Sequence, residues 1–436
     1  MANFVAGLLR RLYGLLWWLV LPLVLLRLWW RGRREPGYRR HVGERLGWTP
    51  RAPVQSAMPT LWVHAVSVGE TRAAAPLIDA LISGWPHHRI LMTHMTPTGR
   101  AAGATLFAHH GVRLVQAYLP YDTASMMARF LARYRPQICL LIETEVWPNL
   151  VAQANARHIP VALISARLSA RSLARGMRLR GLTGAAARGL ACTGAQTAAD
   201  AARLQQLGVA PVCVTGNIKF DVVPPADQLE QGACWRRQFG RRAVLLCAST
   251  RDGEEAAILA ALRAIPVDVL LVIVPRHPQR FDAVAALIAE QGLVCMRRSA
   301  LGDAALAPGV QVLLGDSMGE MFAYYAAADA AFIGGSLLPL GGQNLIEACA
   351  VGTPVLIGPH TFNFAAVTQD AIDAGAALRV DDATALLASA QALLGDAAVV
   401  GAMAGAASAF AMQHRGATAR TMQMLEPWLA PLRGAG

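Results

Sequence analysis

The sequence predicts an α/β protein built from two doubly wound parallel sheets, preceded by an apolar helix. Three observations carry that expectation. Short, continuous apolar runs alternate with Ala/Leu-rich helical stretches after residue 50, the alternation breaks once near residue 222, and the nineteen residues from Leu12 to Trp30 carry a single charge, Arg27. Continuous apolar runs are the pattern of strands covered on both faces, as parallel sheets require.

Length and composition set the bounds. A chain of 436 residues is too long for one ordinary core and suits two or three. Hydrophobic residues at 54% against 16% charged exclude a disordered chain. The net charge of +12 is uneven: residues 1–51 hold ten arginines against Glu35 and Glu44, a local balance of +8. That clustering points to an anionic surface at the N-terminus and away from a nucleic-acid groove along the whole protein. An Arg-rich composition explains why 39 of the 40 basic residues are arginine, but not why they cluster. The seven cysteines (139, 192, 213, 234, 247, 295 and 349) are scattered, mostly in apolar runs, with no CxxC pair. They read as reduced core residues facing a reducing cytoplasm, with neither a zinc site nor a disulfide framework.

Residues 1–34 form the expected membrane anchor. At about 1.5 Å per residue the run from Leu12 to Trp30 just covers a hydrocarbon layer of roughly 30 Å. Trp17, Trp18, Trp29 and Trp30 suit the headgroup boundary. Arg10 and Arg11 precede the run and Arg31, Arg33, Arg34, Arg39 and Arg40 follow it, which keeps the main body on the cytoplasmic side. No small-x-small cleavage site follows Leu28, against a removed signal peptide. A spanning helix and a helix lying in the interface both remain, since Pro22 and Arg27 interrupt the run.

The first strand series is 61–66, 89–94, 113–120, 137–143, 160–166, 190–195 and 211–216, with helices such as 71–84 and 123–134 between them. The stretch 221–232, with two prolines and several polar residues, reads as the linker. A second series follows at 242–249, 267–275, 293–298, 310–316, 330–335 and 353–359. The expected domains are therefore 35–222 and 223–436 behind the anchor.

Ligands of open α/β sheets bind beyond the carboxyl ends of strands, so residues just past each strand are the candidates. In HAVSVGE (64–70), Glu70 stands at a helix start, where it complements the helix dipole or serves as a general base. In LLIETEVWPNL (140–150), Glu143 and Glu145 end an apolar strand, as a structural ion pair or as working carboxylates of a sugar site. TGNIKFD (215–221) holds the single lysine, Lys219, either solvated or set to neutralise a leaving phosphate or sugar carboxylate. In the second half, Arg276 and His277 of VPRHPQR follow a strand, where a guanidinium suits a phosphate. Gly319 and Glu320 open a helix whose free N–H groups suit an anion or ribose hydroxyls. In FIGGSLLPLGGQNLIEA (332–348), four glycines permit close backbone approach, and Asn344 and Glu347 share one helix face, a pattern that favours nucleotide recognition.

There is no P-loop, no strand-linked G-x-G-x-x-G at the first turn, and no Asp-x-Asp to clamp a metal on a diphosphate sugar. A donor with one phosphate needs less neutralisation, which cations and helix N-termini supply.

These stretches together resemble the 3-deoxy-manno-octulosonic acid (Kdo) transferases of lipopolysaccharide assembly. HAVSVGE, MTPTGR, YLPYD, ETEVWPNL, ARLSARS, TGNIKFD, VPRHPQRF, GDSMGE, GGSLLPLGGQN and GPHTFNF occur in family order over nearly the whole chain; Gln343 stands where relatives often have His. The resemblance implies a GT-B fold, two Rossmann-like domains facing a central cleft. It also implies CMP-Kdo as donor, a tetraacylated lipid A precursor as acceptor, and an inverting transfer with no metal or other cofactor. It further implies attachment to the cytoplasmic face of the inner membrane, with anionic lipids as partners and no nucleic acid. By position, Glu70 matches the family's proton acceptor, and Glu143 and Lys219 match groups that stabilise the transition state. Pro275 with Arg276, the turn Met318, Gly319 and Glu320, and the segment Asn344, Leu345, Ile346 and Glu347 match the CMP contacts.

Overall fold

The computed structural model describes residues 2–33, 35–48, 58–264 and 269–433. Arg34 and the first two residues of the strand expected at 267–275 lie outside the described residues. Ala2–Arg31 forms one 30-residue helix, α1, with Pro22 inside it. The chain divides into two compact units, Met1–Val222 with Arg415–Gly436, and Val223–His414.

The first unit holds a seven-stranded parallel sheet. Its strands are β1 (Thr60–His64), β2 (Arg89–His94), β3 (Leu114–Tyr118), β4 (Pro136–Ile142), β5 (Val161–Ala166), β6 (Cys192–Ala195) and β7 (Val212–Val214). They run in the order β3-β2-β1-β4-β5-β6-β7. Successive residues of a strand face opposite sides, and here both sides are dry. Leu61, Val63, Leu140 and Ile142 join one core cluster. Trp62, Cys139 and Leu141 join the other, across the sheet. Winding reverses between the neighbours β1 and β4, so the ligand crevice belongs at their carboxyl ends.

The second unit repeats the plan with β8 (Ala243–Thr250), β9 (Val269–Pro275), β10 (Cys295–Arg297), β11 (Val312–Leu314), β12 (Ala330–Ile333), β13 (Val355–Ile357) and β14 (Ala377–Arg379). The order β10-β11-β9-β8-β12-β13-β14 puts the reversal between β8 and β12.

Several expectations need correction. Residues 415–433, placed by the sequence in the second domain, return to the first unit. The helix Ala417–Leu429 buries Ala417, Leu425 and Leu429 in the core shared with Leu61 and Ile90, and Trp85 Nε1 donates to the Leu429 carbonyl at 3.0 Å. Asp221 secures the return, because its carboxylate accepts the Gly416 N–H at 2.7 Å and also the Thr418 N–H. The polar half of the expected linker is not linker: Ala226–Gln238 is helix. The helix expected at 71–84 is two helices, Val68–Ala73 and Ala75–Gly84, the second with Pro76 in its first turn.

Candidate active site

Glu70 sits in the first turn of the Val68–Ala73 helix, just beyond β1. Ser67 Oγ accepts the Glu70 N–H at 3.4 Å and donates to Glu70 Oε1 at 3.2 Å. The Val66 N–H donates to Glu70 Oε2 at 2.6 Å. This is a variant of the Ser-x-x-Glu capping arrangement, so the modest helix-terminal role is real and fixes the carboxyl in place. Beyond the end of β4, Glu143 is almost fully buried and holds a left-handed backbone, φ 63°. A non-glycine residue there costs about 1–3 kcal/mol, strain that concentrates at functional sites. Its carboxylate receives Arg167 Nε at 3.0 Å and Lys219 Nζ on its other oxygen. Lys219 is positioned by the turn Ile218–Asp221, whose Asn217 Oδ1 accepts the Lys219 N–H at 3.0 Å. Ser165 Oγ donates to the same Asn217 oxygen at 3.4 Å, and Gln196 Nε2 donates to the Ser165 carbonyl at 2.9 Å. The ends of β4, β5 and β6 are thereby tied to Lys219.

Electrostatics separates the carboxyls. Burial raises the Glu70 pKa to about 7, helped by the charges of Glu143 and Glu145; the Val66 N–H and Lys219 oppose the rise. Burial also pushes Glu143 up, but Lys219 and Arg167 outweigh it and hold it below its ordinary value. Glu145 is raised by burial despite the bond its Oε2 receives from Trp147 Nε1 at 2.7 Å. One carboxyl poised near neutrality beside another held ionised is how an environment divides acid–base roles. A general base must be ionised, so kcat/KM should rise with pH and level off above about 7. A profile flat from pH 5 to pH 8 would exclude Glu70 as the group that limits the rate.

In the second unit, Pro275 ends β9 with its side chain buried, and Arg276 follows, its N–H donating to the Thr250 carbonyl at 3.0 Å. Arg276 Nε donates to Gln343 Oε1 at 3.3 Å. Gln343 belongs to the loop after β12, at the winding reversal. An added Cβ at Gly334 would sit 2.5 Å from the Ser249 carbonyl oxygen, so β8 and β12 approach closely because that residue has no side chain. Glu254, fully buried, shapes this loop: its carboxylate accepts N–H groups from Arg251 (2.9 Å), Gly335 (2.6 Å) and Leu337 (3.0 Å). Met318 is exposed, Gly319 has φ 89°, and Glu320 precedes the helix Met321–Ala327. Glu320 Oε1 accepts from Gln231 Nε2 and Arg298 Nη2, both at 3.0 Å. Asn344 Nδ2 donates to Glu347 Oε1 at 3.4 Å, and Asn344 Oδ1 caps the Ile346 N–H at 3.1 Å. Leu345 and Ile346 point into the core, so only their backbones remain to meet a ligand.

Within the first unit the structure brings Glu70, Glu143 and Lys219 together. Within the second it places Arg276 beside Gln343 and Asn344 beside Glu347. Lys219 is not solvated, as one reading of the sequence had it, but half-buried against Glu143. The sequence missed Arg167, Asn217 and Glu254. Arg167 stands directly after β5, so the strand-end rule had the means to find it. Among the described residues one group has metal-ligand spacing, Asp79, His109 and His110, beside the start of β3 and apart from all of these.

The comparisons agree with one another. The family model described as 3-deoxy-D-manno-octulosonic-acid transferase (kdotransferase) matches residues 40–222. The chain is 50% identical over 423 residues to a 3-deoxy-D-manno-octulosonic acid transferase of Bordetella pertussis, covering 94% of this chain and 96% of that one. It is 34% identical over 418 residues to the enzyme of the same description from Haemophilus influenzae, with the same two coverages, 94% and 96%. In fold it resembles a UDP-GlcNAc 2-epimerase of Neisseria meningitidis solved with UDP-GlcNAc, with a TM-score of 0.57 at 17% identity, over 85% of this chain and 100% of that one. The architecture, two parallel seven-stranded α/β sheets behind an apolar helix, is of the GT-B kind.

Proposed function

The chain belongs to the 3-deoxy-D-manno-octulosonic acid (Kdo) transferase family, and on that premise we propose that it moves Kdo from CMP-Kdo to a tetraacylated lipid A precursor, with inversion and without a metal. It is a glycosyltransferase of lipopolysaccharide synthesis. The observation that carries the finer reading is the Glu70 carboxyl, fixed beyond β1 at a winding reversal with its pKa near 7.

In this reading the acceptor hydroxyl attacks the anomeric carbon, its proton passes to Glu70, and CMP departs with the electron pair of the broken bond. The second unit binds the nucleotide. Arg276 meets the phosphate, while the backbone of the Met318–Glu320 turn and the 344–347 segment, with Asn344 and Glu347, meets ribose and base. Lys219 and Glu143 stabilise the transition state, and only interactions that strengthen as charge develops raise the rate. The lipid acceptor accounts for α1: the catalytic body works at the cytoplasmic face of the inner membrane, where the acceptor's acyl chains reside.

Mass spectrometry of the lipid after incubation with CMP-Kdo should show addition of Kdo. CMP should inhibit competitively with the donor and UDP should not. Inhibition by UDP with none by CMP would replace this donor with a uridine-linked sugar on the same fold.

A further inference from the structure

α1 is docked along its length. Near its start Leu9 lies against Gly181, where an added Cβ would be 2.5 Å from Leu9 Cδ1. Midway, Trp17 stacks on Tyr121 with ring centroids 5.5 Å apart, and Leu21 is buried with Tyr121 and Met126. At its end the Arg31 guanidinium lies 4.2 Å from the Tyr38 ring centre. From Leu9 to Arg31 is roughly 33 Å of helix, about the whole thickness of a hydrocarbon layer. A helix crossing the bilayer in this arrangement takes its docked flank along, including the buried Asp122 beside Trp17's partner Tyr121 and Arg180 beside Gly181. Such polar and charged groups are strongly disfavoured in hydrocarbon.

The other flank of α1 is apolar and uncovered. Leu8, Leu12, Leu19, Leu23, Leu26 and Trp30 recur at helical spacing and are 50–76% exposed. Where Leu9 meets Gly181, the helix Ala170–Arg178 turns into the helix Arg180–Arg188. This corner exposes Arg175, Arg178 and Arg180, with Leu179 also 61% exposed. The stretch 170–188 carries five arginines and no acid. An apolar stripe beside a basic corner complements an anionic bilayer surface.

We propose that α1 lies in the plane of the bilayer interface, its outer stripe among the upper acyl segments, and that Arg175, Arg178 and Arg180 meet anionic headgroups of the same leaflet. The proposal rests on the membrane attachment argued above and is independent of which sugar is transferred.

The test uses the full chain in phosphatidylcholine vesicles with and without phosphatidylglycerol. In a background with Cys213→Ser, Cys234→Ser and Cys295→Ser, a fluorophore is placed at Leu8→Cys, Leu19→Cys or Trp30→Cys and quenched by lipids labelled at known depths. The in-plane arrangement gives one shallow depth at all three positions, and a soluble quencher outside the vesicles reaches Leu8→Cys and Trp30→Cys alike. A deep position at 19 between two shallow ones, with 8 and 30 reached from opposite sides, overturns it in favour of a spanning helix. No lipid quenching at any position overturns it in favour of a second copy covering the stripe. Replacing Arg175, Arg178 and Arg180 by glutamine should lower partition onto phosphatidylglycerol-containing vesicles on the order of 10²-fold and leave partition onto pure phosphatidylcholine nearly unchanged. Unchanged partition onto both removes the headgroup contact. None of these readouts needs turnover, so an enzyme inactive with CMP-Kdo would count against the proposed donor without touching the placement of α1.

Discussion

Glu70→Gln should lower turnover about 10²- to 10⁴-fold, the usual cost of losing a positioned general base. Glutamine is the informative replacement because its amide oxygen still accepts the Val66 N–H now held at 2.6 Å, so the helix start survives. Alanine leaves the Val66 N–H without its acceptor, which costs about 1 kcal/mol and mixes stability with chemistry. Stability should move the opposite way. Folding raises the Glu70 pKa to about 7, so the favourable contribution of its neutral form is complete below the unfolded value and lost as pH rises through about 7. A glutamine carries no charge to be penalised, so Glu70→Gln should melt higher than wild type above pH 7 and show no such advantage near pH 4. Near-normal turnover at pH 8, or a lower melting temperature there, would reject the assignment of base and burial to this carboxyl.

The strands were the most readable part of the sequence. Each of the thirteen expected runs overlaps a strand, most of them because a strand buried on both faces is apolar throughout and such a run needs no knowledge of its neighbours; β7 and β10, less buried, still carry short apolar runs. The fourteenth, β14, escaped because it is three residues long at a sheet edge, with Leu378 and Arg379 exposed and no apolar run to see. The return of Ala417–Leu429 to the first unit escaped for a different reason. Its apolar positions at fourfold spacing fit any core, and what commits them to the first unit is the carboxylate of Asp221 about two hundred residues earlier. The site divided in the same way. Glu70 and Glu143 were visible singly as acids past strand ends, but their mutual electrostatics depends on β1 and β4 being neighbours, a matter of strand order. Glu254 reads as an ordinary first-turn acid; only the fold shows it buried and holding two backbone N–H groups of the loop after β12, at Gly335 and Leu337, besides that of Arg251 at the start of its own helix.

Because β4 lies beside β1, Lys219 acts on both carboxyls, and its loss should have a second large effect. Lys219→Met removes one of two cations from a buried carboxylate, and breaking a buried pair costs up to about 3–5 kcal/mol, less here because Arg167 stays on the other oxygen at 3.0 Å. If Lys219 stabilises charge in the transition state, kcat should also fall about 10²-fold. The pH profile distinguishes this from simple loss of structure. Lys219 holds the Glu70 pKa down, so its removal should move the acid limb above pH 7; Glu143 pushes that pKa up, so Glu143→Gln should move the limb below it. Limbs that shift in the same direction, or neither shifting, would mean that these groups do not act on Glu70. The double variant should recover much of the stability lost in either single one, because the buried charges leave together, yet remain slow. Recovery of stability without recovery of rate is the signature of a pair kept for catalysis, and recovery of both would reduce Lys219 and Glu143 to a structural clamp for the ends of β4 and β5.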